Sequence, residues 1–64
     1  MVKINGEQVD AKGMTVAQYI QKANFDVNRI VVERNEDIVP KTEYENVVIE
    51  DNDVIEVISF VGGG

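Results

Sequence analysis

Short alternating and β-branched runs along this chain predict a small sheet. Val2-Lys3-Ile4 alternates apolar and polar positions, and Asn5-Gly6 follows it directly. Because Asn-Gly tolerates the positive φ angles of a two-residue hairpin turn, a second strand is predicted over about residues 7–11. Further β-branched runs predict strands over 29–34, 38–39, 47–50 and 54–61. Pro40 stops the piece at 38–39 and places it at an edge of the sheet or outside it, because proline cannot donate to a ladder.

Between the hairpin and the next strand, the apolar spacing changes to that of a helix. Thr15 is a favourable N-cap residue, and Gln18 three positions later completes a capping box. Asn24 can adopt the left-handed conformation that ends helices. One stripe of this helix is predicted to face the core, formed by Val16, Tyr19, Ile20 and Ala23.

The last predicted strand, 54–61, is nearly continuous in apolar residues, which is typical of a central strand. Glu56 lies in its middle, and burying an unpaired carboxylate there would be costly. Ile55 and Val57 are therefore expected to face the helix. Ile58 and Phe60 then point outward, and exposed apolar clusters of this kind tend to mark interaction sites.

The order of elements predicts an α+β fold of the β-grasp, or ubiquitin-like, architecture. One helix packs across a mixed sheet of four or five strands. Residues 41–46 are expected to form an irregular or single-turn segment with Tyr44 directed inward. We predict a single domain over residues 1–61, followed by a flexible C-terminal tail over 62–64.

Composition narrows the chemistry that this domain can perform. The 64 residues contain no Cys and no His, which excludes disulfides, thiolate metal sites, cysteine nucleophiles and histidine bases. The net charge of −6 disfavours nucleic acid and anionic membranes as partners. No apolar run is long enough to span a membrane and the first residues do not form a signal peptide, so a soluble cytoplasmic protein is expected.

Two features retain a functional and a structural interpretation at this point. The carboxylates of Glu50, Asp51 and Asp53 suggest calcium, but the spacing of an EF-hand is missing, and a turn with Asp side chains bonding nearby amides is favoured. Gly62-Gly63-Gly64 could be a frayed terminus or linker remnant. Alternatively, a tail without side chains could enter a narrow channel of a partner and present its carboxylate there.

The whole chain resembles the ThiS-type sulfur carriers of thiamine biosynthesis. The resemblance includes Asn5-Gly6, Met14-Thr15-Val16, the segment Val32-Glu33-Arg34-Asn35-Glu36 with Ile38-Val39-Pro40, Tyr44, the segment from Asp51 to Glu56, and the ending Phe60-Val61-Gly62-Gly63-Gly64. One departure is Asn52, where such carriers often have glycine; asparagine tolerates the same turn geometry.

The resemblance implies a protein cosubstrate and not an enzyme. The carboxylate of Gly64 would be joined to AMP by a ThiF-type adenylyltransferase that uses ATP, and then converted to a thiocarboxylate with sulfur from a donor protein. A ThiG-type thiazole synthase would receive the sulfur. Gly62 and Gly63 would form the tail, Ile58, Phe60 and Val61 would bind partners, and no cofactor or metal is implied.

Three other functions share the predicted fold. The small subunit of molybdopterin synthase also carries a thiocarboxylate, and a ubiquitin-like modifier would attach Gly64 to lysine side chains. A β-grasp module without covalent chemistry is the third alternative.

Overall fold

The computed structural model describes residues 1–60, which fold into one helix and five strands. The strands are β1 (Val2–Ile4), β2 (Glu7–Val9), β3 (Ile30–Arg34), β4 (Asp37–Val39) and β5 (Val54–Ser59), and the helix is α1 (Val16–Lys22). Single turns of 3₁₀ helix cover Val27–Arg29 and Lys41–Glu43. No helix in this part of the chain is long and apolar enough to cross a membrane.

The five strands form one mixed sheet in the order β2-β1-β5-β3-β4. β5 is central: it runs parallel to β1 and antiparallel to β3. β4 lies at one edge and is followed by Pro40, as the sequence predicts. With α1 packed on one side, this arrangement confirms the predicted β-grasp fold.

Local signals in the sequence fold as predicted. Asn5 and Gly6 have φ angles of 51° and 83° in the turn between β1 and β2. The Gln18 N–H donates to Thr15 Oγ1 over 3.1 Å, and the Thr15 N–H donates to Gln18 Oε1 over 2.9 Å. These two bonds form the capping box. Asn24, just beyond the helix, has a φ of 62°.

The core lies between α1 and the inner face of the sheet. Val16 and Ile20 are its buried helix residues, and Tyr44 is buried beside them as predicted. The prediction for Ala23 is wrong: it is the C-cap of α1 and is exposed. The helix ends one residue earlier, so this position lies beyond the stripe that contacts the sheet.

The predicted strand over 47–50 is also wrong. Apart from one isolated bridge between Thr15 and Val48, this segment has no strand pairing. Its backbone bonds instead to the segment just before the helix: the Gly13 N–H donates to Ile49 O at 2.8 Å, and the Ile49 N–H donates to Met14 O at 2.8 Å. Ile49 is 1% exposed, so the apolar pattern of this segment reflects core burial.

Several predicted boundaries shift by a few residues. β2 ends at Val9, two residues before the predicted end. Arg29 belongs to the preceding 3₁₀ turn and not to β3. β5 ends at Ser59, and the Phe60 N–H still donates to Arg29 O over 3.0 Å.

Candidate functional site

β5 presents different chemistry on its two faces. Ile55 and Val57 are buried against the helix side, whereas Ile58 and Phe60 are 50% and 44% exposed. Glu56, which lies between Ile55 and Val57 in sequence, is exposed as well. The sequence-based assignment of the two faces is therefore confirmed for Ile58 and Phe60.

Neighbouring strands extend this outward surface. In the β3–β5 register Val31 is opposite Ile58 and Glu33 is opposite Glu56, and in the β3–β4 register Ile38 is opposite Glu33. We call this surface the open sheet face; it comprises Val31, Glu33, Ile38, Val54, Glu56, Ile58 and Phe60, together with Lys3 of β1, which is opposite Val54. Ile38 is 65% and Val54 45% exposed, so apolar side chains in contact with solvent are grouped here.

Two asparagine side chains, in the turns that follow β1 and β3, hydrogen-bond to the backbone of β5. Asn5 Oδ1 accepts from the Val57 N–H at 2.8 Å, and Asn5 Nδ2 donates to Val57 O at 3.3 Å. Asn35 Oδ1 accepts from the Val54 N–H at 2.9 Å. Both asparagines have a φ of 51° in hairpin turns. Each side-chain amide thus bonds to the β5 backbone at a point where the neighbouring strand has already turned away. These bonds extend the hydrogen bonding of β5 beyond its pairing with β1 and β3.

A buried carboxylate anchors the start of β5. Asp53, 6% exposed, accepts from Arg34 Nε at 2.8 Å, from Asn35 Nδ2 at 3.0 Å and from the Glu50 N–H at 2.9 Å. Arg34 Nη2 also forms an ion pair with Glu50 Oε2 at 3.2 Å. Buried charges are tolerated when they are paired and hydrogen-bonded in this way. The favoured interpretation of the acidic segment as a turn is confirmed, since Asp53 closes it onto the backbone of Glu50.

The same contacts determine the protonation of this anchor. Burial by itself would raise the pKa of Asp53, but the bonds from Glu50 N–H, Arg34 and Asn35, with the charge of Arg34, lower that pKa below its ordinary value. The hydrogen bond to Asp53 raises the pKa of Arg34. Both groups therefore remain charged at neutral pH.

The turn before β5 also accommodates the departure from the ThiS-type pattern. Asn52 has a φ of 70°, a conformation that glycine adopts readily and asparagine tolerates. The substitution of asparagine for glycine therefore leaves the turn intact.

The remaining predicted site residues, Val61, Gly62, Gly63 and Gly64, lie outside the described part of the chain.

The sequence-based prediction missed part of the open sheet face. Glu33 and Val31 alternate with the buried Ile30 and Val32, and this alternation is a signal that could have identified them. Their position beside β5 follows only from the strand register.

Comparison with known proteins gives matches over nearly the whole chain. A family model described as the ThiS family matches residues 2–64. The chain is 36% identical over 66 residues to the sulfur carrier protein ThiS of Bacillus subtilis (strain 168), which covers 100% of both proteins. It is 40% identical over 62 residues to a thiazole synthase of Paramagnetospirillum magneticum, covering 95% of this chain but only 19% of that enzyme.

A solved structure supports the same architecture. The crystal structure of a thiamine biosynthesis protein (ThiS) from Geobacter metallireducens matches with a TM-score of 0.80 and 24% identity. The match covers 98% of this chain and 97% of that one. This likeness concerns the fold.

Proposed function

This chain belongs to the ThiS family, and on that premise we propose that it is a sulfur carrier whose C-terminal glycine, Gly64, carries sulfur as a thiocarboxylate for thiazole formation in thiamine biosynthesis. The observation that carries the proposal is the match over residues 2–64, which includes the three glycines. The similarity to the Bacillus carrier over its whole length supports the same role.

The proposed chemistry begins with activation of the Gly64 carboxylate. A C-terminal carboxyl group is ionised at neutral pH, and one of its oxygens can attack the α-phosphorus of ATP with release of pyrophosphate. The resulting acyl-adenylate has AMP as a leaving group, whereas a free carboxylate is inert toward a sulfur nucleophile. Sulfur then attacks the carbonyl carbon, and AMP departs with one of the original carboxylate oxygens. Because ATP is consumed, we expect this step to occur in the cytoplasm.

In this proposal the folded domain, residues 1–61, supplies a rigid base for the tail at 62–64. β5 is bonded on both sides within the sheet. Three extended residues after residue 61 would reach about 10 Å at roughly 3.3–3.6 Å each. Glycine allows the backbone of an enzyme to close around such a tail without steric conflict.

We further propose two enzymes as partners: a ThiF-type adenylyltransferase and a ThiG-type thiazole synthase, with a separate protein as sulfur donor. Thiazole synthases of Paramagnetospirillum magneticum and Magnetococcus marinus contain, within a longer chain, a region 40% and 36% identical to this one. This chain spans about a fifth of each (19% and 20%). Joining two modules in one polypeptide raises their effective concentration, and this supports a carrier that works together with a thiazole synthase.

Incubation with ATP, the cognate adenylyltransferase and its sulfur donor is expected to increase the intact mass of the chain by the difference between one sulfur and one oxygen atom. Intact-mass spectrometry measures this change, and fragmentation should place it on Gly64. The reaction without ATP is the control, because the carboxylate is then not activated. A complete reaction mixture that leaves the mass unchanged would exclude the carrier function.

Phe60→Asp is expected to weaken binding to the adenylyltransferase at least about tenfold, because exposed aromatic residues often dominate interfaces. The free energy of unfolding should change by no more than about 0.5–1 kcal/mol, since Phe60 is half-exposed and surface substitutions have small effects. Calorimetric titration and urea denaturation measure the two quantities.

The matched control for this substitution is Val27→Asp. Val27 is 41% exposed but lies on the helix side of the molecule, beside Ile20 and Phe25. Val27→Asp should leave binding to the adenylyltransferase unchanged. If Phe60→Asp instead unfolds the protein and the folded fraction binds normally, Phe60 is a core residue and not a partner contact.

A further inference from the structure

The open sheet face combines an apolar surface with a like-charged pair at its centre. Glu33 on β3 and Glu56 on β5 are directly opposite each other in the antiparallel register. Side chains so placed have their Cβ atoms about 4.5–5.5 Å apart, and like charges in such a pair destabilise a sheet. Folding alone therefore gives no reason to place two carboxylates here.

Apolar side chains on β3, β4 and β5 flank this pair. Val31 and Ile58 form the next outward pair along the two strands. Ile38 flanks Glu33 on β4, and Val54 precedes Glu56 by two positions on β5. A protein that covers these apolar side chains must also remove water from both carboxylates.

Within residues 1–60, no basic side chain forms an ion pair with Glu33 or Glu56. Arg34, which follows Glu33 in sequence, is paired with Asp53 and Glu50. Lys3, on β1, is opposite Val54 and therefore shares the outward face, but it forms no ion pair with Glu33 or Glu56. The pair is therefore available to a cation from outside the chain.

We propose that the Glu33–Glu56 pair receives one arginine side chain from the adenylating enzyme, and that this contact makes docking on the open sheet face selective. The inference rests on the proposed function, because β5 leads from this face into the tail that the enzyme must accept. Charge left unpaired at an interface is strongly unfavourable, so a partner that covers the face needs a complementary cation. The planar guanidinium suits the site because it is weakly hydrated and presents several donors to two carboxylates.

The test compares stability with binding in the same variants. Glu33→Gln, Glu56→Gln and the double variant are titrated against the adenylating enzyme at low and moderate salt, and their thermal unfolding is recorded. We expect the double variant to bind about tenfold more weakly or worse, with a smaller salt dependence. Its unfolding midpoint should be unchanged or higher, because a like-charged pair is removed.

Two further variants make the result specific. Glu45→Gln makes the same change in net charge as either single variant, but beside the helix, near Ile20 and Phe25, and should bind as wild type. Glu56→Lys creates an opposite-charge pair with Glu33 within the sheet, so it should raise the unfolding midpoint and bind more weakly than the double variant.

Wild-type affinity in the double glutamine variant, or a loss of affinity in Glu45→Gln equal to that in the single variants, would overturn the role of the pair. Failure of the wild-type chain to bind would overturn it too. The proposed function is judged separately by the gain of sulfur mass in the wild-type chain. A chain that acquires sulfur while the double variant binds normally would disprove only the role of Glu33 and Glu56.

Discussion

A chain lacking Gly63 and Gly64 is expected to show no ATP-dependent gain of sulfur mass, while its unfolding midpoint stays at the wild-type value. Deletion moves the terminal carboxylate back by two residues, about 7 Å at the extended spacing, so it no longer reaches the α-phosphate of bound ATP. A misplacement of even about 1 Å can cost a hundredfold in rate. Intact-mass spectrometry and thermal unfolding measure the two effects.

The control keeps all three glycines and adds one alanine after Gly64. This chain has its full glycine tail, but its carboxylate is displaced by one residue and is carried by a different residue. It should bind the adenylyltransferase and fail to acquire sulfur. If the chain shortened by two residues still acquires sulfur at the wild-type rate, the proposed role of Gly64 is wrong.

Asp53→Asn is expected to lower the free energy of unfolding by about 2–4 kcal/mol, since breaking a buried, hydrogen-bonded charge pair is costly. Donors approach both carboxylate oxygens of Asp53, from Arg34 and Glu50 on one oxygen and from Asn35 on the other. An asparagine amide must direct its NH₂ group at one of these donors. Domains of this length have total stabilities of roughly 3–10 kcal/mol, so urea denaturation should show a large loss.

The pH dependence of this loss has a defined sign. The folded protein lowers the pKa of Asp53 below its ordinary value of 3.8, so the stabilisation is complete above that pH. It is lost as the pH falls through the folded pKa. The difference in stability between wild type and Asp53→Asn should therefore be largest at neutral pH and shrink below about pH 3.8.

Asp37→Asn is the matched control, because Asp37 is an exposed carboxylate on the edge strand β4. It should change the free energy of unfolding by no more than about 0.5 kcal/mol. Equal, small effects of the two substitutions would show that the contacts of Asp53 do not anchor β5.

The correctly predicted local elements have hydrogen-bond partners within a few residues. The capping box joins Thr15 to Gln18, and the turn at Asn5 and Gly6 depends on their own φ preferences. The outward orientation of Ile58 and Phe60 also followed from the sequence, because period-two alternation and the cost of burying Glu56 fix the faces of one strand.

The incorrect predictions share a different cause. The segment at 47–50 has the β-branched composition of a strand, yet its backbone bonds to Gly13 and Met14 and not to the sheet. Composition indicates that such a segment is extended and buried, but not which backbone it meets. The prediction for Ala23 was wrong for a related reason: its spacing fits the buried stripe of the helix, but the helix ends before this position.

The sequence by itself determined the small β-grasp fold, the absence of thiol and imidazole chemistry, and the polarity of each face of β5, because these depend on local propensity, composition and alternation. Tertiary structure decided which distant residues become neighbours. It placed Glu33 opposite Glu56 and Arg34 against Asp53, since strand order and register are set by packing of the whole core. Those long-range pairings combined the outward residues of several strands into the open sheet face.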